Sequence, residues 1–153
     1  MAKRKIVHVG DDTLRRVCRP VDTITPALLT LLDDMAETMR DADGVGLAAP
    51  QVGVLRRVAV VEVEPGELIE LINPKIIATA GEQEGAEGCL SVPGRYGVVR
   101  RPKHVTVRAT DRHGKTFDVS GSDLLARALC HEIEHLDGKL FIDRAEYMLE
   151  DDE

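Results

Sequence analysis

The rest of the chain is expected to fold around one stretch near the C-terminus, Cys130-His131-Glu132-Ile133-Glu134-His135. It has the pattern H-E-x-x-H, in which two histidines lie four positions apart and a carboxylate directly follows the first. On an α-helix the two imidazoles lie about 40° apart around the axis and roughly 6 Å apart along it, so both can reach one metal ion. Glu132 borders that position without occupying it, as a general base must.

The residues around this pattern predict a buried helix. Ser122 or Asp123 can cap its N-terminus, and Gly138 can end it. Only Glu134 and Arg127 form a polar strip on its surface, and a helix that is apolar on most sides is enclosed by the rest of its fold. The apolar positions of this helix are Leu124, Leu125, Ala126, Ala128, Leu129, Ile133 and Leu136.

The metal interpretation competes with simpler ones. A single histidine on a helix is usually an ordinary packed or solvated side chain. In so apolar a helix, however, His131, Glu132 and His135 without a metal would each need a costly polar partner. Short motifs also occur by chance, and zinc peptidases share this one, so the motif alone leaves the reaction open.

The composition limits the classes of function. With 153 residues, the chain is long enough for one domain, 1–153, with a proper core. A net charge of −7 argues against a basic nucleic-acid surface, and 3% aromatic residues argue against base stacking. We therefore expect no direct DNA binding.

Targeting signals and cysteines indicate the compartment. The start, MAKRKIVHVG, lacks the apolar segment of a secretory signal. No apolar run approaches the roughly 20 residues of a membrane span. Three cysteines in a chain without an export signal predict reduced thiols and a cytoplasmic location, with no membrane partner.

The remaining sequence predicts an α+β fold, with antiparallel β-sheets wrapped around the buried central helix plus an N-terminal helix. Thr25 and Pro26 begin that N-terminal helix, and Leu28, Leu32, Met35 and Met39 recur on one face of it. Strand-like segments lie at 58–63, 68–73, 75–79, 97–101, 103–110 and 115–120. We also expect short strands at 5–9 and 140–142, and an exposed polar segment at 82–87.

A third metal ligand must come from outside the helix, because catalytic zinc-type sites use three protein ligands and leave a position for water. Cys89 is favoured because glycine precedes it and strand-like segments flank it, so the helix can approach closely. Cys130 points away around the helix and cannot easily share the metal. Cys18, other histidines and carboxylates remain candidates.

Three segments together resemble the peptide deformylase family. They are Gly44-Val45-Gly46-Leu47-Ala48-Ala49-Pro50-Gln51, Glu87-Gly88-Cys89-Leu90-Ser91 and His131-Glu132-Ile133-Glu134-His135. Their order and approximate spacing resemble the three motifs of that family, and the resemblance covers nearly the whole chain. Zinc peptidases with H-E-x-x-H lack the other two motifs.

The resemblance implies a metal centre and its chemistry. Cys89, His131 and His135 would bind one divalent ion, usually Fe2+ in the family and often replaced by Zn2+, Ni2+ or Co2+. Glu132 would be the general acid and base. The reaction would be hydrolysis of the N-formyl group from formyl-Met at the start of new polypeptides, which releases formate.

The resemblance also implies substrate contacts. Gln51 and the backbone N–H of Leu90 would stabilise the oxyanion, Gly46 would lie beside the peptide, and Val45 near the mouth of the methionine pocket. The partners would be N-formyl-Met nascent peptides, with a possible transient ribosome contact.

Two positions differ from common members of that family: Cys130, where Gln is frequent, and Glu134, where Asp is frequent. Neither is a ligand in the motif, so the departures put the surroundings of the metal in doubt rather than the activity. Two other functions remain open: a metallopeptidase, and a non-catalytic module whose structural metal has a fourth protein ligand.

Overall fold

The structure, a computed structural model, describes residues 2–149 and confirms the α+β class. In chain order its elements are helix α1 (Pro26–Asp41), strands β1 (Gly46–Ala48), β2 (Val58–Val61), β3 (Ile69–Ala80), β4 (Gln83–Cys89), β5 (Val92–Arg101), β6 (His104–Thr110) and β7 (Thr116–Ser122), helices α2 (Leu124–Leu136) and α3 (Phe141–Arg144), and strand β8 (Tyr147–Leu149). Short 3-10 helices lie at Asp12–Arg15 and Ala49–Val52.

The strands form two antiparallel sheets, one with the order β1-β2-β3-β6-β7 and one with the order β4-β5-β8. In β6, Val105, Val107 and Ala109 are buried while Arg108 between them is exposed, the alternation of a sheet with one wet face. The buried face of the five-stranded sheet packs against α2. The two sheets therefore hold α2 at the centre of the molecule.

Helix α1 closes a second core on the same sheet. The Thr25 hydroxyl oxygen accepts a hydrogen bond from the Leu28 backbone N–H (3.2 Å), and Pro26 occupies the first turn, as predicted. Leu32, Met35 and Met39 are fully buried. They pack in one cluster with residues of β1 and β2, which fixes the loop that follows α1.

The buried character of α2 is confirmed, but its N-terminus is not capped as expected. Asp123 precedes the helix with φ +55°, and its side chain makes no capping hydrogen bond. At the other end Gly138 has φ +75°, and a Cβ there would lie 2.5 Å from the Arg15 carbonyl oxygen. Only glycine fits that position.

Two expected strands are wrong. Residues 5–9 form no strand, although the backbone N–H groups of Val7 and Val9 donate to the carbonyl oxygens of Gln51 and Ser91, each at 2.7 Å. Residues 141–144 are helical, and the Asp143 carboxylate accepts from the Leu140 N–H (2.9 Å) at the start of that turn. In the described range no helix is long and apolar enough to cross a membrane.

Candidate metal centre

Three donor atoms from two elements converge at one end of a cavity. Cys89 ends β4, and His131 and His135 come from α2. The Cys89 Sγ lies 3.3 Å from His135 Nε2, which in turn lies 3.2 Å from His131 Nε2. All three ligand atoms lie within 4.8 Å of one another. The structure therefore brings together the three residues that the sequence predicts as ligands.

This donor set fits a divalent transition-metal ion. Bond lengths of about 2.0–2.1 Å to nitrogen and 2.3 Å to sulfur give donor separations of about 3.3–3.6 Å in a tetrahedron. The observed separations of 3.2 and 3.3 Å are close to these values. Burial, together with His131, lowers the pKa of His135 well below its ordinary value, so its imidazole is neutral, as a ligand must be.

Glu87 orients His131. The His131 Nδ1–H donates to Glu87 Oε1 at 2.5 Å, which fixes the orientation of the ring and turns Nε2 toward the site. Glu87 is only 6% exposed, so the expectation that residues 82–87 are exposed is wrong at this position. The sequence analysis missed this role. Strand alternation could not have revealed it, because the pairing of β4 with β5 shifts register between Glu87 and Cys89.

Glu87 also anchors a buried network of charges. It accepts hydrogen bonds from Arg101 at 2.6 and 3.2 Å and from Arg127 at 2.7 Å. Arg101 also binds Glu134, which pairs at the surface with Arg144. Although burial opposes ionisation, the bonds from His131 and Arg101 hold the pKa of Glu87 well below its usual range. Glu134 is thus connected to the centre through Arg101 and Glu87.

Glu132 lies beside the donors without joining them. Its Oε2 is 4.0 Å from His131 Nε2, and its Oε1 is buried with no hydrogen-bond partner in the described part of the chain. Burial raises the pKa of Glu132 to about 7, in the range that suits a group that both accepts and donates protons. A Cβ on Gly46 would lie 2.5 Å from Glu132 Oε2, so this glycine permits the close packing of the loop against the carboxylate.

The amide of Gln51 is held in one orientation. Its Oε1 accepts from the Ala48 N–H (2.9 Å), and its Nε2 donates to Ser91 Oγ (3.0 Å) and lies 3.5 Å from Cys89 Sγ. Gln51 and Ser91 are both buried. Ser91 was not predicted as a site residue, although it ends the second of the three segments that carry the resemblance.

A cavity of about 450 Å³ opens above these groups. Leu90, in the turn between β4 and β5, lines it together with Val45, Gly46 and the guanidinium-bearing Arg127. Val45 is 39% exposed at its rim. All eight site residues of the sequence analysis line this cavity or contact its donors.

The other candidate ligands lie elsewhere. Cys18 and Cys130 are buried in the apolar core beside the five-stranded sheet, where burial raises the pKa of both thiols. His104 Nδ1 is hydrogen-bonded to Ser122 Oγ, and His113 is exposed in a turn. Within residues 2–149 the only metal-type cluster is therefore Cys89, His131 and His135.

A helix that supplies two histidines and an adjacent buried glutamate, together with a cysteine from a β-hairpin, is typical of metal-dependent hydrolases. The sequence model of one family, described as polypeptide deformylase, matches residues 3–150. The chain therefore belongs to the polypeptide deformylase family.

Relatives support the same assignment over the full length. A peptide deformylase from Thermoanaerobacter pseudethanolicus is 56% identical over 153 residues, which cover 100% of this chain and 96% of the relative. The crystal structure of a peptide deformylase from Legionella pneumophila shares 50% identity and a TM-score of 0.92, covering 95% of this chain and 87% of that one. The Thermotoga maritima structure, at 35% identity, also has a TM-score of 0.92 and covers 95% and 99% of the two chains.

The protein is accordingly an enzyme with peptide deformylase activity, which removes the formyl group from N-terminal formylmethionine.

Proposed function

We propose that Cys89, His131 and His135 hold one divalent ion, with Fe2+ as the native metal, and that Glu132, Gln51 and Leu90 carry out deformylation beside it. The observation that carries this proposal is the convergence of three donor atoms within 4.8 Å at the end of a cavity that also contains the unpartnered Glu132 carboxylate. A bound divalent ion supplies Lewis acidity, which lowers the pKa of water and polarises a carbonyl oxygen.

Glu132 moves the protons. Its carboxylate accepts one proton from water as the water oxygen bonds to the formyl carbon. When the bond between that carbon and the methionine nitrogen breaks, Glu132 passes the proton to the leaving amine, and formate is released. The second proton of the water remains on the product as formic acid, which ionises to formate as its proton passes to solvent, so one water is consumed for each formate and free amine formed. A pKa of about 7 suits both halves of this cycle.

Gln51 and Leu90 stabilise the charge that develops on the formyl oxygen. A side-chain amide that already has a fixed orientation costs little reorganisation when it donates to an oxyanion. The Ala48 N–H and the Ser91 hydroxyl provide that fixed orientation. The backbone N–H of Leu90 is the second donor in this proposal.

Gly46 and Val45 contact the peptide. Gly46 lies directly against Glu132. A peptide whose backbone lies beside Gly46 therefore has its formyl group near the Glu132 carboxylate. Val45 lies at the mouth of the cavity, where its exposed side chain can contact methionine.

The cellular setting is also a proposal. The substrates are nascent N-formyl-Met chains. Residues 1–153 form one catalytic domain that acts on these chains in the cytoplasm and contacts the ribosome transiently. A thiolate ligand such as Cys89 persists best in a reducing compartment, which supports this setting.

The decisive test of the catalytic assignment is Glu132→Ala. We expect one metal per chain to remain, because Glu132 is not a donor, while kcat/KM for formyl-Met-Ala-Ser falls by about 10²–10⁴-fold. Glu84→Ala, an exposed glutamate on β4, is the matched control and should keep full activity. Undiminished turnover by Glu132→Ala would refute the role.

The metal is tested by anaerobic purification, elemental analysis and peroxide treatment. We expect iron at one equivalent and rapid loss of activity in peroxide, because a thiolate beside Fe2+ is readily oxidised. Reloading the protein with Ni2+ or Zn2+ should give peroxide-resistant enzyme. Anaerobic protein that contains zinc alone would contradict iron as the native metal.

A further inference from the structure

Two buried polar side chains of α1 lie outside the metal centre and bind the N-terminal segment, which we define as residues 2–9. Asp34 and Thr38 are each only 4% exposed. The Asp34 carboxylate accepts from the Ala2 N–H (2.8 Å) and from Arg4 Nε (3.0 Å). Thr38 Oγ1 accepts from the Arg4 N–H (2.9 Å). Because buried polar groups need such partners, α1 fixes the first part of the segment.

The second part of the segment binds the two loops that contain the proposed oxyanion donors. The Val7 N–H donates to the Gln51 carbonyl oxygen, at 2.7 Å. The Val9 N–H donates to the Ser91 carbonyl oxygen, also at 2.7 Å. The Gln51 side chain in turn donates to Ser91 Oγ, at 3.0 Å. The segment, Gln51 and Ser91 are therefore joined in a closed ring by three hydrogen bonds.

This ring includes or adjoins both donors. One donor is the Gln51 amide itself, and the other is the N–H of Leu90, the residue directly before Ser91. Gln51 lies in the 3-10 helix Ala49–Val52, and Leu90 lies in the two-residue turn between β4 and β5. A single 3-10 turn has few and poorly aligned hydrogen bonds of its own. Contacts from outside the two loops therefore help to set their relative position.

We propose that the N-terminal segment positions the oxyanion donors, with Val7 and Val9 as positioning residues for deformylation. The inference rests on the proposed function, in which Gln51 and Leu90 stabilise the charge on the formyl oxygen. That charge develops in the transition state, so donors held in place beforehand lower the barrier more than they tighten substrate binding. A looser segment should therefore reduce kcat and leave KM and the metal content unchanged.

The test removes one backbone donor at a time from the metal-loaded enzyme. Proline has no N–H, so Val7→Pro deletes the bond to Gln51 and Val9→Pro deletes the bond to Ser91. We expect each variant to lose about ten- to hundredfold in kcat on formyl-Met-Ala-Ser, because a shift of about 1 Å in a positioning group can cost about 100-fold. Elemental analysis should still find one metal per chain.

The matched control is His8→Pro. It introduces the same residue between the two tested positions, but the His8 N–H donates no hydrogen bond to any residue in the range 2–149. The His8 side chain is exposed, so this variant should keep the wild-type kcat. Urea denaturation shows which variants are folded. If Val7→Pro does not fold, Val9→Pro provides the test at an exposed position of the segment.

A double-mutant cycle shows whether Val7 acts through Gln51. Gln51→Ala removes the amide donor but keeps the backbone carbonyl that the Val7 N–H binds. If Val7 acts by placing that amide, Val7→Pro should reduce kcat much less in the Gln51→Ala background than in the wild-type enzyme. A general loosening of the fold would instead reduce kcat by the same factor in both backgrounds.

The outcomes separate this inference from the proposed function. Wild-type kcat in Gln51→Ala would overturn the proposed oxyanion role of Gln51, and the inference with it. A reduced kcat in Gln51→Ala, with Val7→Pro and Val9→Pro as active as His8→Pro, would overturn the inference alone. Equal losses for Val7→Pro in both backgrounds would also overturn it, as would a change in KM or metal content with kcat unchanged.

Discussion

Helix α2 presents one side to the five-stranded sheet and another to the hairpin of β4 and β5, and the two sides are buried by different chemistry. Towards the five-stranded sheet, Leu129 and Ile133 pack with Leu71 and Val107 in a cluster of apolar side chains. Towards the hairpin, Arg127 and the rest of the buried ion network fill the space.

The two kinds of contact indicate different roles for the two sides of α2. Apolar contacts are non-directional and tolerate small shifts of one element against another. Ion pairs with several hydrogen bonds fix positions and angles, but burying their charges costs about as much free energy as their attraction returns. We therefore expect the apolar side to stabilise the fold and the charged side to orient His131.

The largest effect is expected from Glu87→Ala. The substitution leaves Arg101, Arg127 and the His131 Nδ1–H without their shared acceptor in a buried site. Breaking a buried pair in this way costs about 3–5 kcal/mol of unfolding free energy. Loss of the partner that orients a metal-binding histidine also weakens metal affinity by about 10–100-fold.

Urea denaturation and competition with a chelator measure the two consequences of Glu87→Ala. The control is Glu84→Ala on the same strand, whose carboxylate pairs with Arg100 at 3.5 Å on the surface and should change stability by about 0–1 kcal/mol. Wild-type metal affinity in Glu87→Ala would show that the charged side has no orienting role.

Leu129→Ala breaks the apolar side instead. Leu129 is fully buried, and its truncation should cost about 2–5 kcal/mol, since the lost contacts and the residual cavity both destabilise the protein. Its metal affinity and its kcat at a temperature where the variant is folded should match the wild-type enzyme. A marked loss of metal affinity would contradict the division of labour between the two sides of α2.

The same contrast explains which parts of the molecule the sequence could predict. The helical spacing of apolar residues in α1 and α2 is a local pattern, and it identified both helices and the buried central position of α2. His131 and His135 were found because their type and helical spacing reflect metal chemistry. Cys89 was favoured by its glycine-flanked context and implied as a ligand by the resemblance to the family, and the structure brings the three together. Their catalytic neighbours stay predictions until they are tested.

The burial of Glu87 could not be read from its acidic segment. It depends on Arg101, Arg127 and His131, which lie 14 to 44 residues further along the chain. A carboxylate is normally exposed, and only the assembled fold shows that enough partners surround this one to offset the cost of its burial.

Two local errors have physical reasons of the same kind. Residues 5–9 have the composition of a strand, but their amides bond to two site loops and not to a neighbouring strand. Residues 140–142 are apolar, but the Asp143 carboxylate accepts from the Leu140 N–H and begins a helical turn there. In both cases the segment's partners, and not its own composition, decided its conformation.

The smallest effect on stability is expected at an exposed ion pair whose hydrogen-bond geometry is as good as that of Glu87 with Arg101. Arg108 binds Asp118 through two hydrogen bonds, at 2.9 and 3.1 Å, across β6 and β7. Arg101 binds Glu87 in the same bidentate geometry, through two hydrogen bonds. At the surface, however, water solvates both charges well, and the pair contributes little.

We therefore expect Asp118→Asn to shift the urea midpoint only slightly at pH 7. The hydrogen bonds from Arg108 lower the pKa of Asp118, so its small contribution is present above the ordinary carboxyl pKa of about 3.9 and is lost as the pH falls through the lowered value. The difference between wild type and variant should thus narrow as the pH falls from 7 toward about 3. It should also narrow in high salt at pH 7. If Asp118→Asn lowered the free energy of unfolding as much as Glu87→Ala does, hydrogen-bond geometry would matter more than burial. The buried position of the charged side of α2 would then not explain its effect.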